Sequence, residues 1–252
     1  MRDNVTDQVY NAKQKEEQAL IGIYDYTVIL TYISLLSAGS GIVVSLSGGG
    51  HPYLGTFFLL LCGLCDAFDG KVARTKKDRS DVGKRFGIQI DSLSDIVAFG
   101  VLPACIGAAM LRTSTFFADV VRTDSGVWYF VVLRFALFAI LVLYILAAMI
   151  RLAYYNVTEE DRQKVEEGNR KYFVGLPVTS AALIVPIVIL LQFLTTFDLT
   201  WLYFAVIIGM GVAFLSKFKV KKPGLTGILI MIGIGFIEFV LLLIFKYYIW
   251  KA

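Results

Sequence analysis

Residues 66–95 read DAFDGKVARTKKDRSDVGKRFGIQIDSLSD, and the four aspartates in that stretch, Asp66, Asp69, Asp91 and Asp95, decide how the chain is organised. The apolar run LGTFFLLLCGLC precedes the first pair and IVAFGVLPACIGAAML follows the second. A carboxylate at the edge of an apolar segment is costly to bury unless a cation or another partner compensates it. On helices, Asp66 and Asp69 are three positions apart and Asp91 and Asp95 four, so each pair shares one face of its own helix. The stretch predicts two helices that meet at their acidic ends, with a chemical site between them.

The chain as a whole is 57% hydrophobic and 14% aromatic with a mean hydropathy of +0.70, which excludes an ordinary soluble domain. Several runs approach the roughly 20 residues a helix needs to span a bilayer, and the period-two alternation of a membrane barrel is absent. The expected fold is all-α: a polytopic transmembrane helical bundle, residues 27–252, with an N-terminal amphipathic juxtamembrane segment, residues 1–26. About seven spans are expected, at residues 27–46, 54–73, 86–111, 127–150, 172–194, 202–215 and 224–249; the short sixth leaves six or eight as alternatives. TKKDRSDVGKR, TEEDRQKVEEGNRKY and KFKVKKP read as polar connections between them. The opening MRDNVTDQVYNAKQKEEQAL is too polar and acidic for a secretory signal, so membrane insertion is assigned to the first span. Small residues through LLSAGSGIVVSLSGGG predict close helix approach.

The formal charge of +4 is modest, and its basic residues sit in short loops, which points to membrane topology and lipid head groups and away from nucleic acid. One side of the membrane collects Lys71, Arg74, Lys76, Lys77, Arg79, Lys84 and Arg85, then Arg151, Arg162, Lys164, Arg170 and Lys171, then Lys217, Lys219, Lys221 and Lys222, while the other has only Arg112, Arg122, Lys246 and Lys251. The aspartates and the N-terminus are therefore expected on the cytoplasmic side. Cys62, Cys65 and Cys105 all lie in apolar segments, and the C-x-x-C lacks a second ligand pair, so they read as core side chains and not as a zinc site. His51 is the only histidine and occupies a turn, which leaves little for histidine-centred catalysis.

An all-carboxylate donor set suits hard divalent ions: magnesium, manganese or calcium, one or two of them shared between bridging groups. Such ions polarise phosphoryl oxygens and screen their charge. Gly70 lets a ligand approach the helix backbone, Ala73 keeps the same face low, and Arg74 offers a fork for a phosphate. The competing reading has the aspartates capping helices and pairing with Lys71, Arg74, Lys84 and Arg85 at the membrane surface.

DAFDGKVAR followed by GIQIDSLSD from Gly87 resembles the motif D-x-x-D-G-x-x-A-R, G-x-x-x-D-x-x-x-D of the CDP-alcohol phosphotransferase family. FGIQIDSLSDIVAFGVLPA, RLAYYNV at residues 151–157 and YFVGLPVTSAA at residues 172–182 resemble its phosphatidylserine synthase branch; the resemblance covers residues 27–186. Twelve residues separate Arg74 from Gly87, four more than the family's usual spacing, and Gly83 is the alternative start of the second half. Thr27 stands where the family often has proline, and Ser34 where it often has asparagine.

The resemblance implies transfer of a phosphatidyl group from CDP-diacylglycerol to the hydroxyl of L-serine, with release of CMP. By similarity Asp66, Asp69, Asp91 and Asp95 hold Mg2+ or Mn2+, with Ca2+ an option in one position, and Asp95 is also the catalytic base. Gly70, Ala73, Arg74 and Gly87 hold the cytidine diphosphate. Arg151, Asn156, Lys84 and Arg85 are candidates for the serine carboxylate or a lipid phosphate, with a snorkelling interfacial role as the alternative for Arg151. A homodimer among membrane lipids is the expected assembly. The alternatives are another acceptor, glycerol 3-phosphate or inositol, and, from a different class, a cation transporter.

Overall fold

The structure, a computed structural model, describes residues 22–76, 78, 80–121, 128–165, 172–195, 197–221, 230, 233–241 and 243–244. A 3-10 turn, Tyr26–Val28, leads into α1 (Ile29–Leu46), and α2 (Pro52–Ala73) runs back beside it. Pro52 opens α2 at the position where its missing N–H costs nothing. α3 (Asp81–Thr113), the short α4 (Ala118–Val121) and α5 (Trp128–Val165) follow. Strand β1 (Tyr172–Val174) precedes α6 (Ala181–Leu194), α7 (Thr200–Leu215) and strand β2 (Lys219–Lys221).

Tyr26–Leu46, Pro52–Ala73, Asp81–Thr113 and Trp128–Arg162 are long and apolar enough to cross a membrane, and Val178–Gln192 and Thr200–Leu215 are shorter apolar helices. The protein is an integral membrane helical bundle. On α5, Leu137, Leu141, Tyr144 and Ala148 are buried while Phe135, Val142 and Leu143 are exposed. A large apolar side chain on the outer face is at home in lipid, where it would be a liability in water.

Small residues set the closest packing, as the sequence predicts. A Cβ on Gly41 would stand 2.8 Å from the Phe58 Cβ, and one on Gly55 would stand 1.9 Å from the Ser45 Oγ. The backbones of α1 and α2 can therefore exchange hydrogen bonds with side chains. The Ser37 hydroxyl donates to the Phe58 carbonyl at 3.1 Å, and the Cys62 thiol donates to the Ser34 carbonyl at 3.3 Å. Cys62 is thus a core side chain.

α3 is interrupted by a π-helical turn, Ile96–Val101, in which the Leu102 N–H reaches back five residues to the Val97 carbonyl. Pro103 explains part of it. Its ring removes the N–H that would bond Phe99, so the Phe99 carbonyl needs another donor. The buried Tyr144 hydroxyl of α5 supplies it at 2.8 Å, and Tyr203 of α7 donates to the Pro103 carbonyl at 2.6 Å. The wide turn directly follows Asp95.

The structure corrects several sequence expectations. The third span starts at Asp81, because Ser80 caps the helix by accepting from the Gly83 N–H at 3.1 Å, so much of the expected loop is helix. The charged stretch after residue 157 continues α5 to Val165, supported by an Arg162–Glu159 ion pair one turn apart. Tyr172–Val174 is not the start of the fifth span. It pairs antiparallel with Lys219–Lys221, so part of the expected KFKVKKP turn is a strand. The N-terminal segment up to residue 21, and most of the seventh span, lie outside the described residues, although residues 233–241 are helical.

At the end of the bundle away from the acidic motif, Asp198 ties α7 to the α3–α4 connection. It accepts from the Ser114 hydroxyl at 2.5 Å, the Phe116 N–H at 2.9 Å and the Thr200 N–H at 3.0 Å. Partial burial pushes its carboxyl up, but the Phe116, Ser114 and Thr200 donors outweigh that and hold it well below the usual carboxylate range. A depressed folded value means that its contribution is complete above the unfolded value near 4 and is lost as pH falls below it. Asp198→Ala is expected to lower stability by on the order of 1–2 kcal/mol at neutral pH. Melting curves should show that deficit narrowing as the pH is taken below about 4; a deficit that does not change with pH would contradict the assignment.

Candidate metal centre

The basic connection between α2 and α3 turns the chain so that the acidic positions at the end of α2 and on the first half of α3 face one another. Carboxylate oxygens of Asp66, Asp91 and Asp95 come within 4.8 Å of one another. Asp69 lies against Asp91, and both line a cavity of about 430 Å³ beside the cluster. Asp95 is 9% exposed. Had Gly83 begun the second half of the motif, its acidic positions would fall on Gly87 and Asp91. The convergence of Asp91 and Asp95 on Asp66 sets the register at Gly87.

Two contacts fix the acidic face of α3 from either side. Ser94 donates to the Thr31 carbonyl of α1 at 3.3 Å, and the Asn156 amide of α5 donates to the Ser92 hydroxyl at 2.7 Å. In DSLSD the two serines lie between the two aspartates, so pinning them fixes the helical turn that carries both carboxylates. The sequence reading did not assign Ser92, Ser94 or Thr31; the polar positions inside the acidic motif were the available signal.

Among the described residues, no lysine or arginine forms an ion pair with any of the four aspartates. Lys84 lies 3.4 Å from Asp81, and the Lys71 ammonium sits 5.4 Å from the Phe68 ring centroid. The surface-pairing alternative therefore has no support from these residues. Three anionic groups converging in a half-buried site, without a protein cation, form a donor set that fits a hard divalent ion.

The cavity is lined by Thr27, Val28, Thr31, Asp69, Gly70, Ala73, Arg74, Lys76, Lys84, Gly87, Ile88 and Asp91. It thus gathers Gly70, Ala73, Arg74 and Gly87, the four residues assigned from sequence to the cytidine diphosphate, and Lys84 of the lipid-phosphate candidates. The Arg74 guanidinium lies over Gly70, 3.5 Å from where a Cβ would be, so its fork faces the wall the ligand would follow. The Gly70 N–H donates to the Asp69 carboxylate. Val28, Thr31 and Ile88 were not picked out by the sequence, and Thr27 and Lys76 were noted there without a role in the site.

The remaining candidates are not among the residues lining this cavity. Arg85 is exposed. Arg151 is 5% exposed, which rules out the snorkelling alternative; its Nε donates to the Leu176 carbonyl at 3.1 Å and its guanidinium lies 5.7 Å from the Tyr155 ring centroid. Leu176 is held in turn by α7, its N–H donating to the Ala213 carbonyl at 3.1 Å. Gly175 precedes it at φ +77°, where a Cβ would meet the Ser216 carbonyl at 2.6 Å. Only glycine fits that approach and that backbone.

A family model described as CDP-alcohol phosphatidyltransferase matches residues 27–216. The chain belongs to this family. Relatives within the CDP-alcohol phosphatidyltransferases include the CDP-diacylglycerol–serine O-phosphatidyltransferase of Saccharomyces cerevisiae, 36% identical over 163 residues, which are 61% of this chain and 50% of the relative. The archaetidylserine synthase of Methanothermobacter thermautotrophicus is 30% identical over 191 residues, 75% of this chain and 69% of that protein. The CDP-diacylglycerol–serine O-phosphatidyltransferase of Helicobacter pylori strain J99 is 32% identical over 129 residues, 51% of this chain and 43% of the relative. The matched region thus spans half of the yeast protein and less than half of the Helicobacter one.

Removing one ligand from such a site should cost metal affinity directly. In a calorimetric Mn2+ titration of the full chain in lipid nanodiscs, Asp91→Asn is expected to weaken binding at least tenfold, at or beyond what losing only an outer partner costs. Unchanged binding would remove Asp91 from the donor set.

Proposed function

We propose that this protein transfers the phosphatidyl group of CDP-diacylglycerol to the hydroxyl of L-serine, giving phosphatidylserine and CMP. The observation that carries the reading is a shared wall. Asp91 belongs to the carboxylate cluster, Asp69 lies against it, and both line the cavity bordered by Gly70, Ala73, Arg74 and Gly87. A diphosphate seated against Gly70 and Arg74 would therefore present its phosphoryl group beside the carboxylates. The serine acceptor is supported by the names of the relatives in yeast and Helicobacter.

In this reading Asp66, Asp69, Asp91 and Asp95 hold Mg2+ or Mn2+, with Ca2+ an option in one position. Bound there, the ions supply Lewis-acid polarisation of the phosphoryl oxygens and screen their charge. Arg74 orients the diphosphate through paired donors. Asp95 accepts the serine hydroxyl proton as the serine oxygen bonds to phosphorus and the bond to the CMP oxygen breaks. Lys84, on the cavity wall, adds a point charge for phosphate. Arg151 takes the serine carboxylate or a lipid phosphate, and Arg85 the lipid surface. Asn156 positions Ser92 and, through it, α3.

The excess of basic residues at this end of the helices supports a site facing the cytoplasm. The assembly proposed with it is a homodimer. Gly39 of α1 and Gly209 of α7 leave open space where a Cβ would stand, room for a second copy to approach.

The test is a radiolabelled-serine assay with CDP-diacylglycerol and Mg2+ or Mn2+ on the full chain. Labelled phosphatidylserine is expected from the wild type. Asp95→Asn should lower its formation by 10²-fold to 10⁴-fold, the usual range for a lost general base, with CDP binding retained. Product with glycerol 3-phosphate or inositol, but none with serine, would overturn the acceptor and leave the family chemistry standing.

A further inference from the structure

Two consecutive residues before α1 are clasped to two consecutive residues after α2. The Lys76 ammonium forms an ion pair with the Asp25 carboxylate and lies 6.0 Å from the Tyr26 ring centroid. The Tyr26 hydroxyl meets the Thr75 hydroxyl at 3.3 Å. The pair is neither fully buried nor free in water, with side chains 39% and 19% exposed for Lys76 and Asp25. The Lys76 hydrogen bond holds the Asp25 carboxyl below the usual range.

Lys76 is also part of the cavity wall, beside Arg74 and Lys84, and Thr27, two residues beyond Asp25, lines the same cavity. The clasp therefore joins two walls of the space in which the diphosphate is placed. A lysine ammonium is a compact charge on a flexible four-carbon stem, with three donors that can be re-aimed without moving the backbone. A carboxylate and a phosphate oxygen compete for such a group on similar terms, and the phosphate arrives with more charge.

We propose that Lys76 is a diphosphate-binding residue of this cavity, and that Asp25 is its internal competitor, holding the ammonium until a nucleoside diphosphate takes it over. This rests on the nucleotide placement of the proposed function. The long connection after Arg74 thereby acquires a role, because it carries a third cation to the cavity and ties it to the entry of the first span. Because Asp25 must release Lys76 when ligand binds, it lowers the apparent affinity for ligand, as any competing ground state does.

The experiment is equilibrium binding of CDP, with Mn2+ present, to the full chain in lipid nanodiscs. Lys76→Ala is expected to weaken CDP binding about tenfold, and Lys76→Arg to retain it, as for a lost or kept charge-assisted bond. Asp25→Asn is expected to tighten binding several-fold, yet to change nothing when Lys76 is already alanine. Weaker binding in Asp25→Asn, or an equal effect in both backgrounds, would overturn the competition and leave a plain structural ion pair. CDP binding untouched by Lys76→Ala would overturn the role of Lys76 while sparing the nucleotide site. A wild type that binds Mn2+ but no CDP would overturn the nucleotide placement, and the role of Lys76 with it.

Discussion

Mutual repulsion among Asp66, Asp91 and Asp95 is the constraint on which the rest of the structure depends. Their oxygens lie within 4.8 Å of one another between the last turns of α2 and the first half of α3, with no lysine or arginine paired to them among the described residues. Anions gathered in a poorly solvated place raise one another's energy unless a cation is shared between them. The bundle must hold the groups together against that force until a cation arrives, so rigidity at the site is a requirement of the chemistry.

The means are spread over several helices. Ser94 is held by α1 and Ser92 by Asn156 of α5, so the acidic face of α3 cannot roll away from α2. Beyond Asp95 the π-helical turn alters the helix, and hydroxyls of Tyr144 and Tyr203 take up carbonyls near Pro103. A second relay runs from the end of α7 through the Gly175–Leu176 turn to Arg151, placing a buried cation on α5 one helical turn before Tyr155. Each device uses a polar group that would be expensive to leave unpaired inside a bilayer, which is why such bonds are made and kept there.

Much of this was legible in the residues. The spacing of the four aspartates announced two helices and a meeting of their carboxylates, and the small residues of the first span announced its tight packing. Local charge misled the eye elsewhere. The stretch after Asp78 looks like a loop, but Ser80 caps a helix that needs no apolar run to persist. The stretch after Val157 looks like a connection, yet Glu159 and Arg162 support another turn. The Tyr172–Val174 and Lys219–Lys221 ribbon is too short to show a period. The pairing of Lys76 with Asp25 spans 51 positions, and nothing local in either segment points to the other. Contacts of that kind are set by how the helices pack and belong to the tertiary structure alone.

The central claim is that aspartates from α2 and α3 jointly hold a divalent ion. Anomalous X-ray scattering from crystals of the full chain grown with Mn2+ tests it most directly. The expected result is a peak bounded by Asp66, Asp91 and Asp95, at the roughly 2.0–2.6 Å typical of oxygen ligands to such ions. A peak only elsewhere, or carboxylates turned apart onto lysine and arginine side chains, would contradict it.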